Sequence, residues 1–206
     1  MDIKSINTGV LGGTFNPVHN GHVAIAEAAR MALGLDEVYF IPTGQPHLKD
    51  RNVLLAAEHR VQMVSVAIKD KPFYKLSTIE IERSGHSYTV DTLTELRQLL
   101  GYNHEIFFIL GWDSLAQLPY WKEPDRIIKM CKLVAVSRPG YSLPDIVLME
   151  DTVPGITERV IILDKPEIDI SSSDIRERVA GGLDVSHLLP GPVEEYIRKN
   201  RLYMNE

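Results

Sequence analysis

Short apolar runs recur along the chain with helical patterns between them, and the two alternate from end to end. Runs at 8–11, 37–41, 105–110, 132–137 and 160–163 predict strands. Val38-Tyr39-Phe40-Ile41 and Ile106-Phe107-Phe108-Ile109-Leu110 are apolar throughout, as strands covered on both faces require. Helices are predicted over 21–33, 56–68, 90–100, 125–130, 173–180 and 192–200. The last two have marked starts: serines precede one, and Pro192 stands in the first turn of the other. Residues 76–83 alternate, with Ile79 and Ile81 apolar and Glu80 and Glu82 polar, which predicts a half-exposed edge strand. The stretch 139–158 is rich in Gly and Pro without a sustained period and predicts a surface loop or irregular connection. Strand–helix alternation of this kind predicts an α/β fold with a doubly wound, mostly parallel sheet. One domain over 1–206 is expected, with 171–206 as its small C-terminal helical part. Ligands of such sheets bind at the carboxyl ends of the strands, where the strand order reverses.

The polar positions that follow the first run carry the most chemistry. Gly9-Val10-Leu11 breaks into the turn Gly12-Gly13-Thr14-Phe15-Asn16-Pro17, and His19 and His22 then open an Ala-rich helical pattern. A glycine pair lets backbone approach a phosphate closely, and a helix N-terminus offers it unpaired N–H groups and a positive dipole. Histidines at i and i+3 share one face of the first helical turn and can reach one ligand. Singly, either histidine reads as a surface side chain helping to cap a helix. Together with the glycines they point to a nucleotide phosphate site, with Gly12, Gly13, Thr14 and Phe15 as the nucleotide-binding turn.

Near the other end stands Ile170-Ser171-Ser172-Ser173-Asp174-Ile175-Arg176. Serines cap a helix, and their hydroxyls with the free N–H groups also suit a phosphate; Arg176, one turn in, can add a forked charge-assisted contact. A capped helix with a surface arginine is the plainer alternative.

Composition narrows the classes. The chain has 206 residues, 44% of them apolar and 24% charged, as in ordinary soluble globular proteins. Its net charge of −6 argues against a general nucleic-acid binder. An acidic protein that binds polyphosphate must concentrate its cations locally, so single lysines and arginines near the motifs matter. The N-terminal residues show no apolar signal segment and no run is long enough to span a membrane, so no membrane partner is expected. A single cysteine, Cys131, excludes an internal disulfide and suits a reducing cytoplasm; its place among helical apolar positions predicts core packing. No dedicated metal-ligand cluster is visible, and the histidines lack zinc spacing. The oligomeric state stays open, a homo-oligomer included.

The first motif resembles the signature of the HxGH nucleotidyltransferase superfamily, and the serine box resembles its I-S-S/T-T-x-I-R element. Further segments are similar to those of the nicotinate-nucleotide adenylyltransferase family. Glu82-Arg83-Ser84-Gly85-His86-Ser87-Tyr88-Thr89-Val90-Asp91-Thr92-Leu93 resembles E-R-x-G-x-S-Y-T-x-D-T-L, and Gly111-Trp112-Asp113 with Leu118 and Trp121 resembles G-x-D-x-x-x-x-L-x-x-W. Ser137-Arg138-Pro139-Gly140 and the ending Leu202-Tyr203 also match. The chain departs at Asn16, where Asp is commoner, and in Pro42-Thr43-Gly44-Gln45-Pro46-His47-Leu48-Lys49, where Gln45 replaces a proline and Leu48 separates His47 from Lys49.

What the resemblance implies is a Rossmann-like nucleotidyltransferase fold and adenylyl transfer from ATP to nicotinate mononucleotide, giving nicotinate adenine dinucleotide and pyrophosphate. It implies catalytic roles for His19, His22, Arg176 and Lys49, with Ser172 and Ser173 on the departing phosphates. It also implies Mg²⁺ carried with ATP, Trp121 stacking on the pyridine ring, and Thr89 donating to the nicotinate carboxylate. Asp113 follows an apolar strand and either accepts from ribose hydroxyls, approaches the metal or simply forms a turn. Core packing for Trp121, helix capping for Thr89 and solvent exposure for Lys49 are the alternatives. So is another acceptor within the same superfamily, such as pantetheine phosphate, or a nucleotide-binding regulator that has lost turnover.

Overall fold

The computed structural model describes residues 5–46 and 54–204. Six strands form one sheet: β1 (Ile6–Gly13), β2 (Glu37–Pro42), β3 (Tyr74–Leu76), β4 (His104–Gly111), β5 (Lys132–Val136) and β6 (Val160–Leu163). Their order is β3-β2-β1-β4-β5-β6, and every adjacent pair is parallel. The chain builds outward from β1 in one direction through β3, then returns to the other side of β1 with β4. The order therefore reverses between β1 and β4, which is where a doubly wound sheet opens a crevice.

Helices cover both faces: α1 (Asn20–Leu33), α2 (Ala57–Ile68), α3 (Ile79–Glu82), α4 (Thr89–Leu100), α5 (Trp112–Gln117), α6 (Pro124–Met130), α7 (Ile146–Met149), α8 (Ser172–Ala180) and α9 (Gly191–Lys199). Successive strand residues enter opposite layers, so an unbroken apolar run serves two cores. Leu11, Phe40 and Ile109 pack with Ala26, Met63, Ile175 and Val193 on one face. Val10, Ile41 and Phe108 pack with Leu93, Leu115 and Ile127 on the other. Cys131 belongs to that second core and is buried there. α1 ends where Gly34 takes φ 60, the left-handed conformation that costs glycine least, and donates to the Arg30 carbonyl.

Two stretches differ from the sequence reading. Residues 76–83 do not form an edge strand: only Leu76 is in a strand, as the end of β3, and Ile79–Glu82 is the helical turn α3. The alternation assumes that Glu80 faces solvent, yet Glu80 is buried and accepts a 2.7 Å bond from the Thr92 hydroxyl. A polar partner inside the fold replaces the solvent that a half-exposed strand would have offered. The 139–158 connection is irregular as expected, but it carries α7 and a 3-10 turn, and it buries Met149, Val153 and Ile156. No helix among the described residues is long and apolar enough to cross a membrane.

Candidate active site

β1 ends in Gly12 and Gly13, and the chain turns through Thr14 and Phe15 into α1 with His19 as N-cap and His22 at the third helical position. The imidazoles stack with centroids 3.7 Å apart and planes 31° from parallel. His22 Nδ1 accepts the His19 backbone N–H at 3.2 Å, which fixes the ring over the start of the helix. Neutral His22 therefore carries its proton on Nε2. His19 Nδ1 is buried without a hydrogen-bond partner among the described residues, and a Cβ at Gly21 would come within 2.9 Å of it. A lone pair left there costs less than an orphaned N–H, so the His19 proton also belongs on Nε2. Two stacked imidazoles thus bring two Nε2–H groups to one place.

His19 is only 6% exposed, and burial first, with the Arg138 charge second, lowers its pKa to about 3. It is uncharged at neutral pH. Phe15 is buried as well; its ring meets His22 edge-on at 5.0 Å and forms the floor under the pair.

The serine box meets this turn from across the fold. Ser171 caps α8 by accepting from the Asp174 N–H, which frees the next two serines for other work. Ser172 donates to the Pro17 carbonyl at 2.9 Å. Arg176 donates to the Asn16 carbonyl at 2.9 Å and to the Ser173 hydroxyl at 3.1 Å. His19, His22, Ser172, Ser173 and Arg176 are therefore brought together, although 150 residues of chain separate His22 from Ser172. Asn16 itself accepts at its side-chain oxygen from the Tyr203 hydroxyl at 2.9 Å, so the C-terminal segment braces the same turn.

At the crevice, β4 ends in Gly111 and Asp113 follows in the first turn of α5. Its carboxylate pairs with Arg138, which follows β5, at 2.6 Å. Sequence reasoning matched Arg138 to a family segment and gave it no role. Yet it puts a cation at the reversal point, near enough to His19 to oppose that ring's protonation.

The other wall is built from loops after β2 and β3. The Gly44 N–H donates to Ser87 Oγ at 3.1 Å, and Gln45 pairs with His86 as an isolated parallel bridge. Gly44 is indispensable as a close approach: a Cβ there would lie 2.0 Å from the Glu80 carbonyl oxygen. Thr89 is the first residue of α4, one step beyond this junction. Trp121 stands edge-on to Phe108 at 6.2 Å. Its neighbour Lys122 pairs with Asp91 at 3.1 Å and lies over the Tyr88 ring at 4.7 Å, which ties the Trp121 segment to the start of α4. Thr89 and Trp121 thus share one wall. Lys49 lies outside the described residues.

Arg60, on α2, is the main residue that sequence reading missed. It is 1% exposed and forms no ion pair among the described residues, and its guanidinium donates to the carbonyls of Leu55, Thr14, Thr43 and Gly44. The signal was present: Arg60 occupies the first place of the stripe Arg60, Met63, Val64, Ala67, whose other members are core residues. Among the described residues no group of three or more His, Cys, Asp or Glu side chains is placed to hold a metal ion.

Residues 10–178 match the family described as cytidylyltransferase-like. A Dehalococcoides mccartyi protein named "Probable nicotinate-nucleotide adenylyltransferase" is 49% identical over 199 residues, 97% of this chain and 98% of the relative. A Roseiflexus protein of the same name is 43% identical over 201 residues, 98% of this chain and 100% of the relative. The fold is similar to that of Plasmodium falciparum nicotinic acid mononucleotide adenylyltransferase complexed with NaAD, with a TM-score of 0.77 at 20% identity, over 96% of this chain and 97% of that one. The same protein complexed with APC gives 0.76 over the same shares. The structural likeness bears on the fold, and the sequence relatives, matched over almost their whole length, bear on the family: the chain belongs to the nicotinate-nucleotide adenylyltransferases.

Proposed function

We propose that this protein transfers the adenylyl group of ATP to the 5′-phosphate of nicotinate mononucleotide, releasing pyrophosphate and forming nicotinate adenine dinucleotide. The observation that carries the reading is the stacked His19–His22 pair on the glycine turn, joined across the fold to Ser172, Ser173 and Arg176. An oxygen of the acceptor phosphate attacks the α-phosphorus in line, and the bond from that phosphorus to the β-phosphate bridging oxygen breaks. A phosphate monoester is already an adequate nucleophile, so the protein needs no covalent intermediate. Its work is to align two polyanions and to meet the charge that moves onto the leaving pyrophosphate.

Alignment alone supplies about 7–11 kcal/mol in favourable cases, and each donor aimed at developing charge about 2.7–4 kcal/mol. The Nε2–H groups of His19 and His22 are the donors for the α and β phosphates. Arg176, with the Ser172 and Ser173 hydroxyls and the start of α8, holds the departing pyrophosphate. Gly12, Gly13 and Thr14 let the nucleotide lie against backbone, and Asp113 takes ribose hydroxyls. Lys49 completes the cation set in this reading. With no cluster of metal-ligating side chains among the described residues, Mg²⁺ would be held by the ATP phosphates and water and would supply neutralisation of phosphate charge there. Selectivity for nicotinate follows from Thr89 at the start of α4, where a hydroxyl and free N–H groups favour a carboxylate over an amide, while Trp121 stacks on the ring. A cytoplasmic location fits the lone buried cysteine.

The test is pyrophosphate release with ATP and Mg²⁺ and three acceptors: nicotinate mononucleotide, nicotinamide mononucleotide and phosphopantetheine. Fast turnover with the first and little with the others is expected. Preference for either of the other acceptors would overturn the assignment.

A further inference from the structure

We propose that Arg60 is a positioning residue that sets the distance between the two substrate walls, by holding the turn after β1 and the loop after β2 in one buried fork. A cation that is 1% exposed and makes no ion pair among the described residues is expensive to keep: burial lowers its affinity for a proton, and the charges of Glu58 and Glu80 offset this only in part. Its side chain makes four hydrogen bonds among the described residues, all of them to backbone carbonyls. One terminal nitrogen donates to the Thr14 carbonyl at 3.0 Å and to the Thr43 carbonyl at 2.7 Å, so a single atom bridges the two loops. The other terminal nitrogen reaches Gly44 at 3.4 Å, and Nε reaches Leu55 at 3.1 Å. A core position could have been filled by an apolar side chain at less cost, and that side chain would have given up these four bonds to the two loops.

The surroundings are arranged around the same fork. The Thr43 N–H donates to the Gly13 carbonyl at 2.9 Å, a second direct link between the loops. The Leu55 N–H reaches Asn16 Oδ1 at 3.4 Å, so the start of α2 is tied to the nucleotide turn. On its far side Gly44 is held by Ser87 and pressed against the Glu80 carbonyl, which continues the linkage to the segment carrying Thr89. Arg60 is thus the centre of a buried chain running from Thr14, on the ATP wall, to the junction before Thr89, on the acceptor wall. In-line transfer depends on that spacing, and a misplacement of about 1 Å can cost about 100-fold in rate.

The inference rests on the reading of these walls as the ATP and acceptor sides, and its experiment has one arm that does not. Arg60→Lys keeps the charge but replaces a planar fork by a single ammonium; Arg60→Gln removes the charge and folds without the burial cost. For both, kcat with ATP and nicotinate mononucleotide should fall about 100-fold, with each KM changed far less. In both, amide hydrogen exchange in the turn after β1, at Thr14 and Phe15, and in the loop after β2, at Thr43 and Gly44, should rise together while the amides of β4 and β5 keep their protection. Full activity in Arg60→Lys would show that charge alone is needed and overturn the proposal. So would exchange that rises in one loop only, or equally throughout the sheet, which would mark ordinary core packing. If the wild-type protein did not use nicotinate mononucleotide, the exchange arm would still test the linkage, and only the reading of the substrate would fail.

Discussion

His19 sets a measurable link between the site and the stability of the molecule. Its imidazole is held neutral by burial, with a pKa of about 3 against 6.5 for an ordinary histidine. Between those values the unfolded chain binds a proton that the native protein does not. Stability therefore falls as pH drops from about 6.5 toward 3, by at most about 1.4 kcal/mol per pH unit from this residue. His19→Gln removes that contribution. Denaturant midpoints at pH 7 and pH 4.5 should show the wild type losing about 2 kcal/mol more than the variant over the interval. Parallel losses would mean that His19 is not held neutral.

α8 acts at the scale of an element: its first turn braces the turn after β1, and in the proposed function it also presents cation and hydroxyls to phosphate. Arg176→Ala removes a guanidinium bonded to the Asn16 carbonyl and the Ser173 hydroxyl. Charge-assisted hydrogen bonds are worth about 1.5–3 kcal/mol, which sets a rise of about 10- to 100-fold in the KM for ATP and an equal weakening of pyrophosphate inhibition. Unchanged pyrophosphate inhibition would detach Arg176 from the leaving group. This helix was readable in the sequence because its signals are local: serines at the cap, an arginine one turn later. Five of the strands were readable from short apolar runs, β2 and β4 most plainly, since a strand covered on both faces must be apolar throughout. β3 was not, because three residues with exposed Lys75 between Tyr74 and Leu76 make no run. α3 was misread because Glu80 is satisfied by Thr92, twelve residues away, and periodicity carries no information about such a partner. Arg60 is the same lesson inverted: its place in the apolar stripe of α2 was visible, but its four carbonyl partners come from three separate loop positions that only the fold assembles.

At the scale of the whole molecule, the crevice divides two groups of walls that the sheet and the buried linkage at Arg60 join. One wall carries the turn after β1 with α8, the other carries Thr89 and Trp121. A ligand that reaches both walls stabilises the native state through both. One at about 100 times its Kd adds about 2.7 kcal/mol, and each kcal/mol is worth about 2–4 °C for a chain of this size. Nicotinate adenine dinucleotide should therefore raise the melting temperature by about 5–10 °C at that concentration, and by more than AMP at an equal concentration, because AMP reaches one wall only. Trp121→Ala should bring the dinucleotide's shift down toward that of AMP and leave the AMP shift alone. The comparison isolates the acceptor wall: any general loss of packing from removing the tryptophan lowers the melting temperature of the free variant, whereas the shift is measured from that lowered baseline. A dinucleotide shift that survives in Trp121→Ala would place the pyridine ring elsewhere and return Trp121 to the apolar layer it shares with Phe108.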